Sequence, residues 1–160
     1  MRARSKVRGS LSLPERALLE ELVREFGPRL RAYVRRGFGL AHEAEDIVAE
    51  TFCRAAQNIA ALRASSRQDL YLLTIARNLC RDRFRRRRPE LAPPEVLEEH
   101  TRTAQPDEAL AASEETAYLR AAVARLPEGL REVVVLRLSA GLKFEEIAAL
   151  LHVPLGTALS

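Results

Sequence analysis

The sequence predicts an all-α protein: two small helical domains joined by an acidic, proline-containing linker, the second a helix-turn-helix domain. Three observations carry that expectation. Apolar residues return at helical spacing through every long segment, and none alternates apolar with polar as a half-buried strand would. Charge is partitioned: residues 1–88 hold 20 basic and 10 acidic residues, residues 89–116 hold one and eight, and residues 117–160 hold five and four. A length of 160 residues with 47% apolar content permits one ordinary domain or two small ones with a true core, and is too short for a large enzyme.

Residues 1–12 read as a basic tail, and no apolar segment follows Met1–Ser10 as a secretory signal would require. Leu13-Pro14-Glu15 starts a helix, with proline in the first turn and an acid beside it. Leu18, Leu22 and Phe26 share its face, and Gly27-Pro28 is expected to break it. A second helix restarts there on Leu30, Tyr33 and Val34 and stops at Gly37-Phe38-Gly39. From Glu43 to Ile59, an apolar stripe of Ala44, Ile47, Val48, Phe52, Ala55, Ala56 and Ile59 predicts a third, with acids in its first turns. Ala60–Asp69 follows as a loop, and Ser66-Arg67-Gln68-Asp69 resembles a capping box for a helix burying Leu72, Ile75, Ala76, Leu79 and Cys80. That helix runs into Arg85–Arg88 and closes a first domain over residues 13–88.

Residues 89–116 differ in kind. Four prolines, eight acids and little periodicity describe a flexible acidic tether whose last residues lead into the next helix. In a second domain, residues 117–160, Leu119, Ala122, Val123 and Leu126 form a face ending at Pro127. A helix from about Gly129 to Ser139 is stopped by Gly141. Phe144 to Thr157 then reads as a helix-turn-helix whose elbow is packed by Ile147, Ala148, Leu151 and Val153. On spacing alone, a plain helical hairpin explains that stretch as well as a nucleic-acid reader does.

Several function classes are excluded or disfavoured. No apolar run approaches the roughly 20 residues a membrane span needs. Cys53 and Cys80 form no C-x-x-C pair, and His42, His100 and His152 are scattered, so neither a disulfide framework nor a metal site is expected, and a reducing cytoplasm is the default. No nucleophile–base pairing or Gly-rich phosphate loop is present, so no catalytic residue and no cofactor are expected. The positive feature is the helix around Thr74, Arg77, Asn78, Arg81, Arg85 and Arg88, whose spacing gathers cations on one face. Such a face is usually only solvated. Here six arginines among residues 81–88 repel one another unless anions intervene, and guanidinium forks match phosphate while an asparagine amide reads a base edge.

Together these residues resemble a known family. Ala44-Glu45-Asp46-Ile47-Val48-Ala49-Glu50-Thr51-Phe52, Leu73-Thr74-Ile75-Ala76-Arg77-Asn78 with Asp82-Arg83, Leu126-Pro127-Glu128 with Arg131-Glu132-Val133, and Glu145-Glu146-Ile147-Ala148 stand in the order and spacing of bacterial RNA polymerase sigma factors of the extracytoplasmic-function group. The resemblance runs from about residue 13 to the end of the chain. It implies that residues 13–88 bind core RNA polymerase and the melted minus-ten promoter element, and that residues 117–160 address the minus-thirty-five element. Clamp binding falls on Asp46, Ala49, Glu50 and Arg54, with Ala49 standing where glutamine is usual. Base capture falls on Arg63, Ser65, Ser66 and Arg67, and the DNA grip on Arg77, Asn78, Arg81, Arg85, Arg86, Arg87 and Arg88. Tyr71 stands where the family commonly has tryptophan, either as a stacking platform or, the favoured reading, as a core residue.

In the hairpin, Thr157 and Ser160 would face duplex DNA. Lys143 replaces the usual serine or threonine cap, and His152 occupies a turn position that is typically glycine, so a positive φ is expected there. Six residues from Leu155 to Ser160 span only about 9 Å of helix. The recognition helix is therefore expected to be incomplete, with little specific affinity for a minus-thirty-five duplex, and the natural protein to continue beyond Ser160. The resemblance implies promoter DNA, core polymerase and, for many members, an anti-sigma factor as partners. The alternative is a stand-alone helix-turn-helix regulator that binds duplex DNA without the polymerase.

Overall fold

The computed structural model describes residues 11–87 and 114–159, and every regular element among them is helical. Helix α1 spans Leu13–Phe38. Its start is held by Glu15, whose carboxylate accepts the Ser12 N–H at 2.8 Å and the Ser12 hydroxyl at 2.7 Å. The expected break at Gly27-Pro28 does not occur, and α1 runs through Pro28 unbroken. An interior proline loses one ladder hydrogen bond and costs about 3 kcal/mol. Here Leu22, Leu30, Tyr33, Val34 and Phe38 are buried on both sides of it, which outweighs that cost. The helix stops where predicted: Gly39 takes a left-handed conformation at φ 65° and donates its N–H to the Val34 carbonyl.

A short 3-10 turn at Ala41–Glu43 leads into α2, Ala44–Gln57, which buries Ile47, Val48, Thr51, Phe52 and Ala55. Thr51 is the one polar residue on that face, and its hydroxyl donates to the Ile47 carbonyl at 2.7 Å. The predicted loop over residues 60–69 is half helix: α3 occupies Ile59–Ala64 and buries Leu62, leaving only residues 65–67 as a turn. Apolar Ile59 and Leu62, three apart, with the helix-favouring Ala60, Ala61 and Ala64, supply a single turn of helical periodicity. Helix α4, Gln68–Arg87, lies against α1 and α2 and buries Leu72, Leu73, Ala76, Leu79 and Cys80. The anticipated Ser66–Asp69 box is replaced at its acidic end, because Arg67 takes the Asp69 carboxylate at 3.0 and 2.8 Å.

The C-terminal helices are α5 (Glu114–Ala124), α6 (Glu128–Ser139), α7 (Phe144–Leu151) and α8 (Leu155–Leu159). The proposed face of α5 is largely uncovered, with Leu119 55% exposed. Helix α6 does the packing instead. It lies along α1, and Val135, Leu136, Leu142, Ile147 and Leu150 join the same buried cluster as Tyr33, Phe38 and Leu79. The two helical groups therefore share one core. Nearly all of the expected tether lies outside the described residues. No described helix is long and apolar enough to cross a membrane.

Candidate polymerase and nucleic-acid interfaces

Because α2 turns its apolar stripe inward, its opposite face carries the predicted clamp residues. Asp46, Ala49 and Arg54 are exposed and Glu50 is half-buried. Glu50 accepts from Arg54 at 2.7 Å, one helical turn along, and lies 3.6 Å from Arg83 of α4. Arg83 also reaches Glu43 at 3.2 Å, stapling α4 to the start of α2. Arg83 and Glu43 lie 40 positions apart, so local spacing gives no sign of this staple. Asp46 and Ala49 thus sit beside a paired Glu50–Arg54 couple on the solvent-facing side of α2.

The capture segment folds as the end of α3 and the turn before α4. Arg63, Ser66 and Arg67 are exposed, and the Ser65 hydroxyl accepts the Arg67 N–H at 3.2 Å, fixing the turn. The Arg67 hydrogen bonds hold the Asp69 carboxyl below its ordinary range. Tyr71 is half-buried and packs against the core, which favours its reading as a core residue. Along α4, Thr74, Asn78, Arg81, Arg85 and Arg86 are exposed. The Thr74 hydroxyl is used internally, donating to the Leu70 carbonyl at 2.7 Å, and Arg85 pairs with Asp82. The Arg87 side chain and all of Arg88 lie outside the described residues.

Arg77 departs from that stripe. At 100° per residue it sits about 60° to one side of Thr74, far enough to turn inward. It is 8% exposed, and its Nε donates to Glu132 of α6 at 2.8 Å. The same carboxylate oxygen accepts the Tyr33 hydroxyl at 2.6 Å, so three elements meet on one carboxylate. Burial first, and the neighbouring Glu132 charge second, raise the Tyr33 phenol well above its ordinary pKa. Beside them Phe38, Arg77, Arg81, Glu128, Gly129 and Glu132 line a cleft of about 170 Å³.

Helix α7 repeats the pattern: Glu146 accepts the Lys143 N–H at 2.7 Å and pairs with Arg67 through its other oxygen. Glu146 thereby makes the N3 half of a capping box, satisfying the N-cap backbone N–H, while lysine supplies no side-chain acceptor for the N–H groups of the first turn. Neither Glu132 nor Glu146 was singled out as a site residue from sequence. Their partners lie 55 and 79 positions away, beyond the reach of local spacing.

The hairpin is formed as read. Ile147 and Ala148 are buried at the elbow, and His152 sits at φ 57°, ψ 41°, in the left-handed region expected of its position. Its N–H bonds back to Ala148 and Ala149, closing the turn. Helix α8 presents an exposed Thr157 and buries Ala158, and Ser160 lies outside the described residues.

Two family models match. Sigma-70 region 2 covers residues 22–90, and Sigma-70 region 4 covers residues 116–158. The chain is 35% identical to the ECF RNA polymerase sigma factor EcfG of Rhodopseudomonas palustris, over 83% of this chain and 72% of that protein. It is 33% identical to SigW of Bacillus subtilis, over 76% and 71%. Among solved structures, the sigma factor RpoE of Bartonella quintana, crystallised with the anti-sigma factor NepR, shares the fold. The TM-score is 0.68 at 24% identity, over 89% of this chain and 88% of that one.

Proposed function

The chain belongs to the ECF RNA polymerase sigma factors, proteins that bind core polymerase and direct transcription initiation, and on that premise we propose which of its residues do so. The exposed face of α2, with Asp46, Ala49, Glu50 and Arg54, docks on the core enzyme. Arg63, Ser65, Ser66 and Arg67 receive an unpaired base of the melted minus-ten element. Asn78 and Arg81, with the arginines that follow, hold the adjacent strand, the amide toward a base edge and the guanidinium groups on phosphates. Helices α7 and α8, through Thr157, face the minus-thirty-five duplex. The protein contributes no bond-making group of its own. Chemistry stays in the polymerase, in the cytoplasm, and an anti-sigma factor is a further partner consistent with the family.

The observation that carries this reading is the side-by-side placement of an acid-bearing α2 face and a cationic α4 face on one rigid bundle. A sigma factor needs both, and a stand-alone regulator has no use for the first. The test is affinity for core polymerase. Asp46→Arg, reversing an exposed charge at the proposed interface, is expected to weaken binding by about 2 kcal/mol or more, some thirtyfold. Unchanged affinity in a variant with native circular dichroism removes α2 from the interface. Duplex binding without any affinity for core would favour the stand-alone regulator.

A further inference from the structure

Arg83 stands apart from the arginines of α4 assigned to DNA. Arg81, Arg85 and Arg86 are exposed, whereas Arg83 turns back to α2. Its Nη1 donates to the Glu43 carboxylate at 3.2 Å, and its Nη2 lies 3.6 Å from Oε2 of Glu50, an ion-pair distance. Arg54 takes the other Glu50 oxygen at 2.7 Å. One carboxylate is thus held from two sides, by an arginine of its own helix and by one from α4. We propose that Arg83 is a positioning residue for core polymerase, which fixes the Glu50 carboxylate of the α2 face in the arrangement that the polymerase meets. This rests on the reading of α2 as the docking face.

A part-exposed glutamate samples several rotamers, and an interface that uses it must freeze one at a cost in affinity. With a cation on each oxygen, Glu50 meets its partner already ordered. The guanidinium that orders it is itself placed. The Arg83 side chain is 33% exposed, against 79% for Arg85 two positions on, and it ends on Glu43, whose side chain is only 15% exposed. Glu43 immediately precedes α2 and Glu50 lies seven positions on, on the same side of the helix, so one planar fork reaches both carboxylates. Part-exposed ion pairs add little to stability, so the value of this one lies in placement. The run of arginines from residue 81 is therefore divided in role: Arg83 serves the polymerase face while its exposed neighbours face the nucleic acid.

The test is a double-mutant cycle read as the affinity of the full chain for core polymerase. Arg83→Lys keeps the charge and gives up the fork, and is expected to weaken binding roughly fivefold. Glu50→Gln is expected to weaken it as well. In that background Arg83→Lys should cost little more, because the carboxylate it positions is gone. An arginine that only supports the fold would cost the same in both backgrounds. Glu43→Gln frees the far end of the fork while Arg83 and Glu50 remain, and it should reproduce part of the loss with the same dependence on Glu50.

If Asp46→Arg and Glu50→Gln both leave core affinity untouched, the docking face is misread and this inference falls with it. If Asp46→Arg weakens binding while Glu50→Gln or Arg83→Lys does not, the docking face stands and the positioning role is refuted. Equal losses from Arg83→Lys in the two backgrounds refute it too. Should Arg83→Lys lose helicity, Glu43→Gln is judged by the same cycle.

Discussion

Asn78 is open to solvent on α4, while Arg77, one position earlier, is shut between Glu132 and Tyr33. Their environments predict opposite costs. Arg77→Ala leaves a buried carboxylate without its cation and is expected to destabilise the chain by about 3 kcal/mol, whereas Asn78→Ala should stay within about 0.5 kcal/mol. Urea midpoints compare them, and equal losses would refute the burial argument. Tyr33 supplies a pH test. Its folded pKa is raised, so its contribution is full below the unfolded value near 10 and is lost as pH rises toward the folded one. Subtracting the tyrosinate absorbance of Tyr33→Phe from that of wild type should leave a signal appearing only above the ordinary phenol range. A component titrating near 10 would mean the Tyr33–Glu132 contact is not kept in solution. Sequence spacing grouped Arg77 with Asn78 because helical periodicity places a residue on a broad face, and the roughly 100° of rotation between these neighbours decides between core and solvent.

At the level of helices, much was legible and the errors share a cause. Gly39 and Gly141 ended their helices as expected because a left-handed cap is a local property, with φ of 65° and 68°. Pro28 misled because its penalty is local while the packing of Leu22, Leu30 and Tyr33 is not. Helix α3 was taken for loop because it is six residues long and shows only one helical turn of pattern. The α4 stripe carries its own prediction. Each phosphate neutralised on a single strand contributes a slope of about −0.7 in log affinity against log salt. Arg85→Ala/Arg86→Ala should therefore flatten the slope by about 1.4 and lower affinity for all sequences alike. Asn78→Ala should instead alter sequence preference with the slope unchanged. A sequence-dependent loss in the arginine variant would mean these side chains read bases.

For the whole molecule, the motifs revealed both helical units but gave no sign that they close on one another. That closure depends on Tyr33, Arg77 and Glu132 meeting across 99 and 55 positions of sequence, and on the apolar side of α6 seating against α1. Contacts of that range are set by packing, which no local window contains. The exposed acid-bearing stretch of α2 and the cationic stretch of α4 were legible because each lies within one helix. The central claim is that this bundle brings promoter specificity to a polymerase, and transcription from a library of randomised promoters, with and without the full chain added to core enzyme, tests it most directly. The expected result is a set of starts that require the chain, share a common minus-ten sequence, and disappear with Asp46→Arg. Starts unchanged by the chain, or chain-dependent starts with no shared upstream sequence, would contradict it.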